Sequence, residues 1–124
     1  MAQYSECASL ASVYLEDSWV LSVDAMPTTL ELLVDFVLKE SHPAYASPAP
    51  GEQYCYKKGR LVFSSLVELH WVDQGRRPAV DASGELDYGS FDVAQFEGQA
   101  WTLIGDFGRI SFLSQAPPSI EWQF

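Results

Sequence analysis

Four carboxylates, Asp81, Glu85, Asp87 and Asp92, fall within twelve residues and are punctuated by Gly84 and Gly89. Oxygen donors at that density could wrap a hard cation such as calcium. An EF-hand loop places donors at positions 1, 3 and 5 and closes with a Glu at position 12. Counted from Asp81, the third position is Ser83 and the twelfth is Asp92, one methylene shorter than Glu. The spacing favours a solvated connection with Asx-type turns, so no metal ligand set is assigned, and calcium binding stands as an alternative. The same segment carries Tyr88. Together Asp81, Glu85, Asp87, Tyr88 and Asp92 form the expected contact set for a positively charged partner.

Other reactive side chains are scattered. Glu68 and His70 are two apart in a strand-like run, where same-face neighbours could exchange a proton. They are the best pair for the alternative of an enzyme with a site assembled outside any motif. His42 and His70 with Cys7 and Cys55 have no zinc spacing, and the two cysteines are expected as buried thiols. Asp106-Phe107-Gly108 spells the metal-binding triplet of protein kinases. The chain contains no Asn and no glycine-rich phosphate loop, so a hairpin turn explains the triplet, with Gly105 and Gly108 both free to take positive φ. There is no Gly-x-Ser-x-Gly elbow either. No catalytic residue, metal or cofactor is assigned. Tyr45, Tyr54, Tyr56 and Tyr88 lie in or beside loops, where aromatics with flanking charges serve protein binding or could hold a sugar.

The elements that must position these residues are mostly strands. Ser18–Asp24 alternates Trp19, Leu21 and Val23 against Ser18, Ser22 and Asp24, and all four Trp fall in strand-like runs expected to pack inward. Residues 28–38 fit two periods. Leu30, Leu32, Val34, Phe36 and Leu38 alternate as in a strand, whereas Leu30, Leu33, Val34, Val37 and Leu38 make a helical stripe with a Thr28/Glu31 capping box. The complete alternation and the short turn before it favour the strand. Pro43, Pro48, Pro50 and Gly51 mark a loop over 41–53. A hairpin is expected to turn at Lys57-Lys58-Gly59-Arg60, a bulge or bend at Ser64-Ser65, and a polar connection over 73–90. Phe91 to Phe112 reads as a meander, and Ile120, Trp122 and Phe124 as a terminal edge strand. Helical spacing is confined to the first dozen residues. The expected fold is therefore mainly β: one domain over 1–124, an antiparallel β-sandwich or barrel-like sheet of about seven to eight strands, with α+β open only through a short N-terminal helix.

The 124 residues carry 17 acids against 7 Lys and Arg, for a net charge of −10. Residues 1–38 sum to −6, 39–77 to +2 and 78–124 to −6. Such a field repels phosphate backbones and anionic bilayers, so nucleic acid and membrane are not expected partners, and a basic protein is. No basic and apolar leader opens the chain and no apolar run reaches the length of a bilayer, which leads to the expectation of a cytoplasmic protein, a monomer or weak dimer.

The runs Tyr14-Leu15-Glu16-Asp17-Ser18-Trp19-Val20-Leu21, His42-Pro43-Ala44-Tyr45 to Gly51-Glu52-Gln53-Tyr54-Cys55-Tyr56, and Gly105-Asp106-Phe107-Gly108 resemble those of small, uncharacterised bacterial β-proteins. In size and acidity the chain also resembles the immunity proteins of contact-dependent and polymorphic toxin systems. The resemblance implies a non-enzymatic inhibitor that binds a basic toxin, and it carries over no catalytic residue.

Overall fold

A computed structural model describes residues 2–73 and 88–123, and the backbone of 79–80 and 86–87. Among the described residues eleven strands follow one another: β1 (Ala2–Gln3), β2 (Val13–Ala25), β3 (Thr29–Leu38), β4 (Tyr56–Ser64), β5 (Leu66–Val72), β6 (Ala79–Val80), β7 (Leu86–Asp87), β8 (Phe91–Glu97), β9 (Ala100–Gly105), β10 (Gly108–Ser114) and β11 (Ser119–Trp122). Nine of them form two antiparallel sheets, ordered β1-β8-β9-β10-β5 and β11-β4-β3-β2, and β6 and β7 pair as a small ribbon. The chain is mainly β. Its N-terminal helical spacing yields only two single 3-10 turns, Tyr4–Glu6 and Ala8–Leu10, which bury Tyr4 and Leu10.

The two sheets pack face to face through one core. Phe63 of β4 meets Trp101 of β9 at 5.1 Å and Phe112 of β10 at 4.8 Å, both edge to face. Leu30, Leu32, Val34, Phe36 and Leu38 are all buried, so the period-two interpretation of residues 28–38 holds. The complete alternation that favoured the strand is the pattern the core buries. The sandwich is also laced along both sides, which gives it a barrel-like closure. On one side Ser65 takes φ 53 and turns the chain from β4 into β5 and hence from one sheet to the other. There the Leu66 N–H donates to Thr28 O at 3.0 Å and the Ser114 hydroxyl donates to Ser64 O at 3.1 Å. On the other side the Val20 N–H donates to Gly89 O at 2.9 Å, and the Tyr88 N–H donates to Val20 O at 2.7 Å.

Three local expectations need correction. No turn occurs at Lys57-Lys58-Gly59-Arg60: β4 runs straight through it, and Gly59, Leu61 and Phe63 form its buried face. Gly59 is an inward position with no side chain because Ile120, Glu121 and Trp122 of β11 lie only 3.1–3.2 Å from where a Cβ would sit. Trp19 points outward and is 42% exposed, because a bulge in β2 inverts the alternation and buries Ser18 and Val20 instead. In the β9–β10 turn only Gly108 has positive φ, at 105; Gly105 is required by the close approach of Phe107 and Ser90 O, each 2.7 Å from its missing Cβ. Phe107 is buried against Phe91, and its carbonyl accepts the Trp71 indole N–H at 2.8 Å, so the kinase-like triplet is a structural hairpin turn.

Candidate functional site

The bulge in β2 builds the most distinctive surface of the molecule. Tyr14 pairs with Val37 and Trp19 with Asp35, so Leu15–Ser18 stand opposite Phe36 alone. The extra residues are held from inside. Ser18 is fully buried, and its hydroxyl donates to Tyr14 O at 2.6 Å while accepting the Val37 N–H at 2.9 Å. Tyr4 braces the bulge from beneath: its hydroxyl accepts the Leu15 N–H at 3.0 Å and donates to the Glu16 carboxylate. Burial first, and then the bond to Glu16, push the Tyr4 hydroxyl well above the usual tyrosine pKa, so it remains a donor at any physiological pH. Leu15 and Ser18 therefore turn inward, Glu16 is exposed and Asp17 half-buried, and Tyr14 and Trp19 stand out at 40% and 42% exposure.

Beside Tyr14 opens a pocket of about 360 Å³, walled by Tyr14, Lys39, Tyr45, Pro48 and Tyr54 over the buried Val37 and Cys55. The Lys39 ammonium lies 4.8 Å from the Tyr14 ring centroid, within cation–π range, and Tyr54 meets Tyr56 edge-on at 6.1 Å. The proline-rich loop forming one wall is tied down. The His42 ring packs edge-on against Trp122 at 4.9 Å, and its Nδ1 accepts the Ala44 N–H at 3.0 Å. Burial lowers the His42 pKa below its usual value, keeping the ring neutral and able to accept that bond. The aromatic walls can stack on planar or aliphatic groups.

The contact set expected from the sequence is only partly visible. Asp81 and Glu85 lie outside the described residues, as does the side chain of Asp87, whose backbone closes β7 opposite Ala79. Tyr88 is half-buried and packs on the core, so much of its surface is structural, whereas Asp92 is exposed on β8. The backbone of the ribbon strand β7 (Leu86–Asp87) packs against β2. Glu68 and His70 are both exposed on β5. Glu68 sits at φ 56 in a second bulge, between the Ser111–His70 and Leu113–Val67 pairs, which breaks the alternation on which same-face contact depended. Cys55 is buried and Cys7 half-buried, both as free thiols. Among the described residues no three His, Cys, Asp or Glu converge as a metal site; the loop considered for calcium lies largely outside them.

Tyr14, Glu16, Asp17 and Trp19 escaped the sequence-based contact set. Their signal was present: Glu16-Asp17-Ser18 interrupts an apolar alternation between two aromatics, which is how a bulged strand reads. Among the described residues no helix is long and apolar enough to cross a membrane. The chain matches no protein-family model, no curated protein and no solved structure.

Proposed function

We propose that the chain is a non-enzymatic binding domain that holds a basic protein on the β2 edge, in the manner of an immunity-type inhibitor of a basic toxin. One observation carries this: Tyr14 and Trp19, both about 40% exposed, bracket Glu16 and Asp17 on a bulge fixed from beneath by Ser18 and Tyr4. Arg and Lys side chains stack on exposed indole and phenol faces and pair with carboxylates, so this sequence of groups suits a basic surface. Rigid aromatics presented by a scaffold are what binding hot spots use, because little entropy is lost when they are covered. The tyrosine pocket beside them would receive one protruding side chain, and Asp81, Glu85, Asp87, Tyr88 and Asp92 would extend the acidic border. A net charge of −10 would steer a cationic partner into encounter.

The test is capture of partners from the native host on the immobilised protein, followed by affinity measurement with the captured protein. A basic protein should be recovered, and Trp19→Ala should weaken it by about 10-fold or more, as a hot-spot aromatic does. Charge reversal at Asp17 should mainly slow association and flatten its salt dependence. Recovery of no basic protein, or equal binding by Trp19→Ala and the native chain, would sink the proposal.

A further inference from the structure

The pocket beside Tyr14 already holds a cation of the chain's own. Tyr14, Tyr45 and Tyr54 line it, and its charged side chains are Lys39 and Glu40. The Lys39 ammonium sits 4.8 Å from the centroid of the Tyr14 ring, where the negative face of the ring attracts it. In a chain with 17 acids, that ammonium makes no salt bridge among the described residues. A ring contact of this kind near water is weak, so the ammonium is easily displaced. Its backbone stays behind, because the Lys39 N–H donates to Ser12 O at 2.9 Å while the long side chain can swing clear. The occupant therefore shows which chemistry the Tyr14 face accepts.

We propose that this pocket receives an arginine side chain of the partner, and that Lys39 fills it as a tethered stand-in until that arginine displaces it. This rests on the reading that a basic protein docks on the β2 edge, and it names the side chain that enters and the one that leaves. A guanidinium suits the walls better than the ammonium it replaces. It is more weakly hydrated, so it loses less on leaving water, and it is planar, so it stacks on tyrosine faces. Its fork also matches the carboxylate of Glu40, which is exposed in the wall. An anionic group would instead meet Glu40 and a net charge of −10. About 360 Å³ is room for one such side chain, not for a larger segment. Two cations cannot share one ring face. Arginine thus binds only the fraction of molecules whose Lys39 has swung away, and Lys39 lowers the apparent affinity by that fraction.

The test is titration of the isotope-labelled full chain with Nα-acetyl-arginine amide, followed by NMR. Shifts should centre on Tyr14, Lys39, Tyr45 and Tyr54, with a dissociation constant in the millimolar range. The citrulline analogue, which has the same shape without the charge, should bind at least about tenfold more weakly. Lys39→Met keeps the aliphatic stem and frees the ring. It should tighten arginine binding roughly three- to sixfold, as expected when a weak cation–π competitor is removed. Arg109→Gln, exposed on the five-stranded sheet, removes the same unit charge and should leave the affinity unchanged. Equal binding of the citrulline analogue overturns the proposal, as does weaker arginine binding by Lys39→Met or an equal gain in Arg109→Gln. Recovery of a basic protein by the immobilised chain, with no arginine bound in this pocket, would overturn the arginine site and leave the partner standing. Arginine bound here with no basic protein recovered would do the reverse.

Discussion

Ser18 shows how one hydroxyl decides where four other residues point. Buried in an apolar surrounding, it satisfies two backbone groups that the bulge would otherwise orphan, the Val37 N–H and the Tyr14 carbonyl. Removing it leaves a buried donor unpaired while deleting almost no apolar contact, so the desolvation cost is felt in full. Ser18→Ala should therefore destabilise the fold by about 1–3 kcal/mol in urea unfolding. Ser41→Ala, at an exposed loop position, should stay within about 0.5 kcal/mol of the native chain. If the two variants unfold together, the hydroxyl does not hold the bulge. His42 works by the same logic on a smaller scale. Its neutral Nδ1 accepts a loop N–H, and the burial that lowers its pKa serves to keep that acceptor available near neutral pH.

Among the elements, most strands were legible because they rest on period two, a long-range average that single residues rarely upset. β3, the β8–β10 meander and the edge position of β11 all follow from it. The failures cluster where one residue breaks the period. Gly59 read as a turn, since glycine beside two lysines and an arginine is ordinary hairpin chemistry. Nothing local reveals that a strand sixty residues later needs its missing side chain. Trp19 read as core, since the bulge that turns it outward lies just before the run where the alternation begins. The same locality hid the candidate site: its loop tyrosines were legible, but bringing Tyr14, Tyr45 and Tyr54 around one pocket takes the tertiary fold. The Gly59 contact predicts a specific damage. Gly59→Val would drive a branched side chain into Ile120 and Trp122, pushing β11 away and loosening Trp122 from Phe36, now 5.2 Å off, and from His42. The expected cost is about 1–3 kcal/mol with a red shift of tryptophan emission, whereas Gly59→Ala asks the neighbours to yield by only tenths of an ångström and should cost less. Native stability and emission in Gly59→Val would show that β11 is not packed on this strand.

At the scale of the whole molecule, the question is where ten surplus negative charges go. The outer face of the four-stranded sheet absorbs part of the acid load, since Asp35 stands opposite Lys58 and Glu121 opposite Arg60 in register. On the strands of the five-stranded sheet Glu68, Asp92 and Glu97 are exposed. Of the other described acids, Glu16 and Asp17 lie on the β2 edge, Glu40 and Glu52 about the proline-rich loop, and Asp73 and Asp106 at strand ends, while Glu31 sits within β3. Acids so placed repel one another through water across the whole surface. The ion pairing that could offset this is weak where it is exposed, as for Arg60 and Asp24 at 3.9 Å with both side chains well solvated. Repulsion should therefore outweigh attraction, and screening should favour the compact state. Raising salt from about 0.02 M to about 0.3 M shortens the Debye length severalfold and should lift Tm by a few degrees, a gain of roughly 1 kcal/mol for a domain of this size. A Tm that falls with salt would mean that attractive pairs dominate the surface, and the picture of acids spread along strands, edges and turns, unpaid by neighbours, would have to be abandoned.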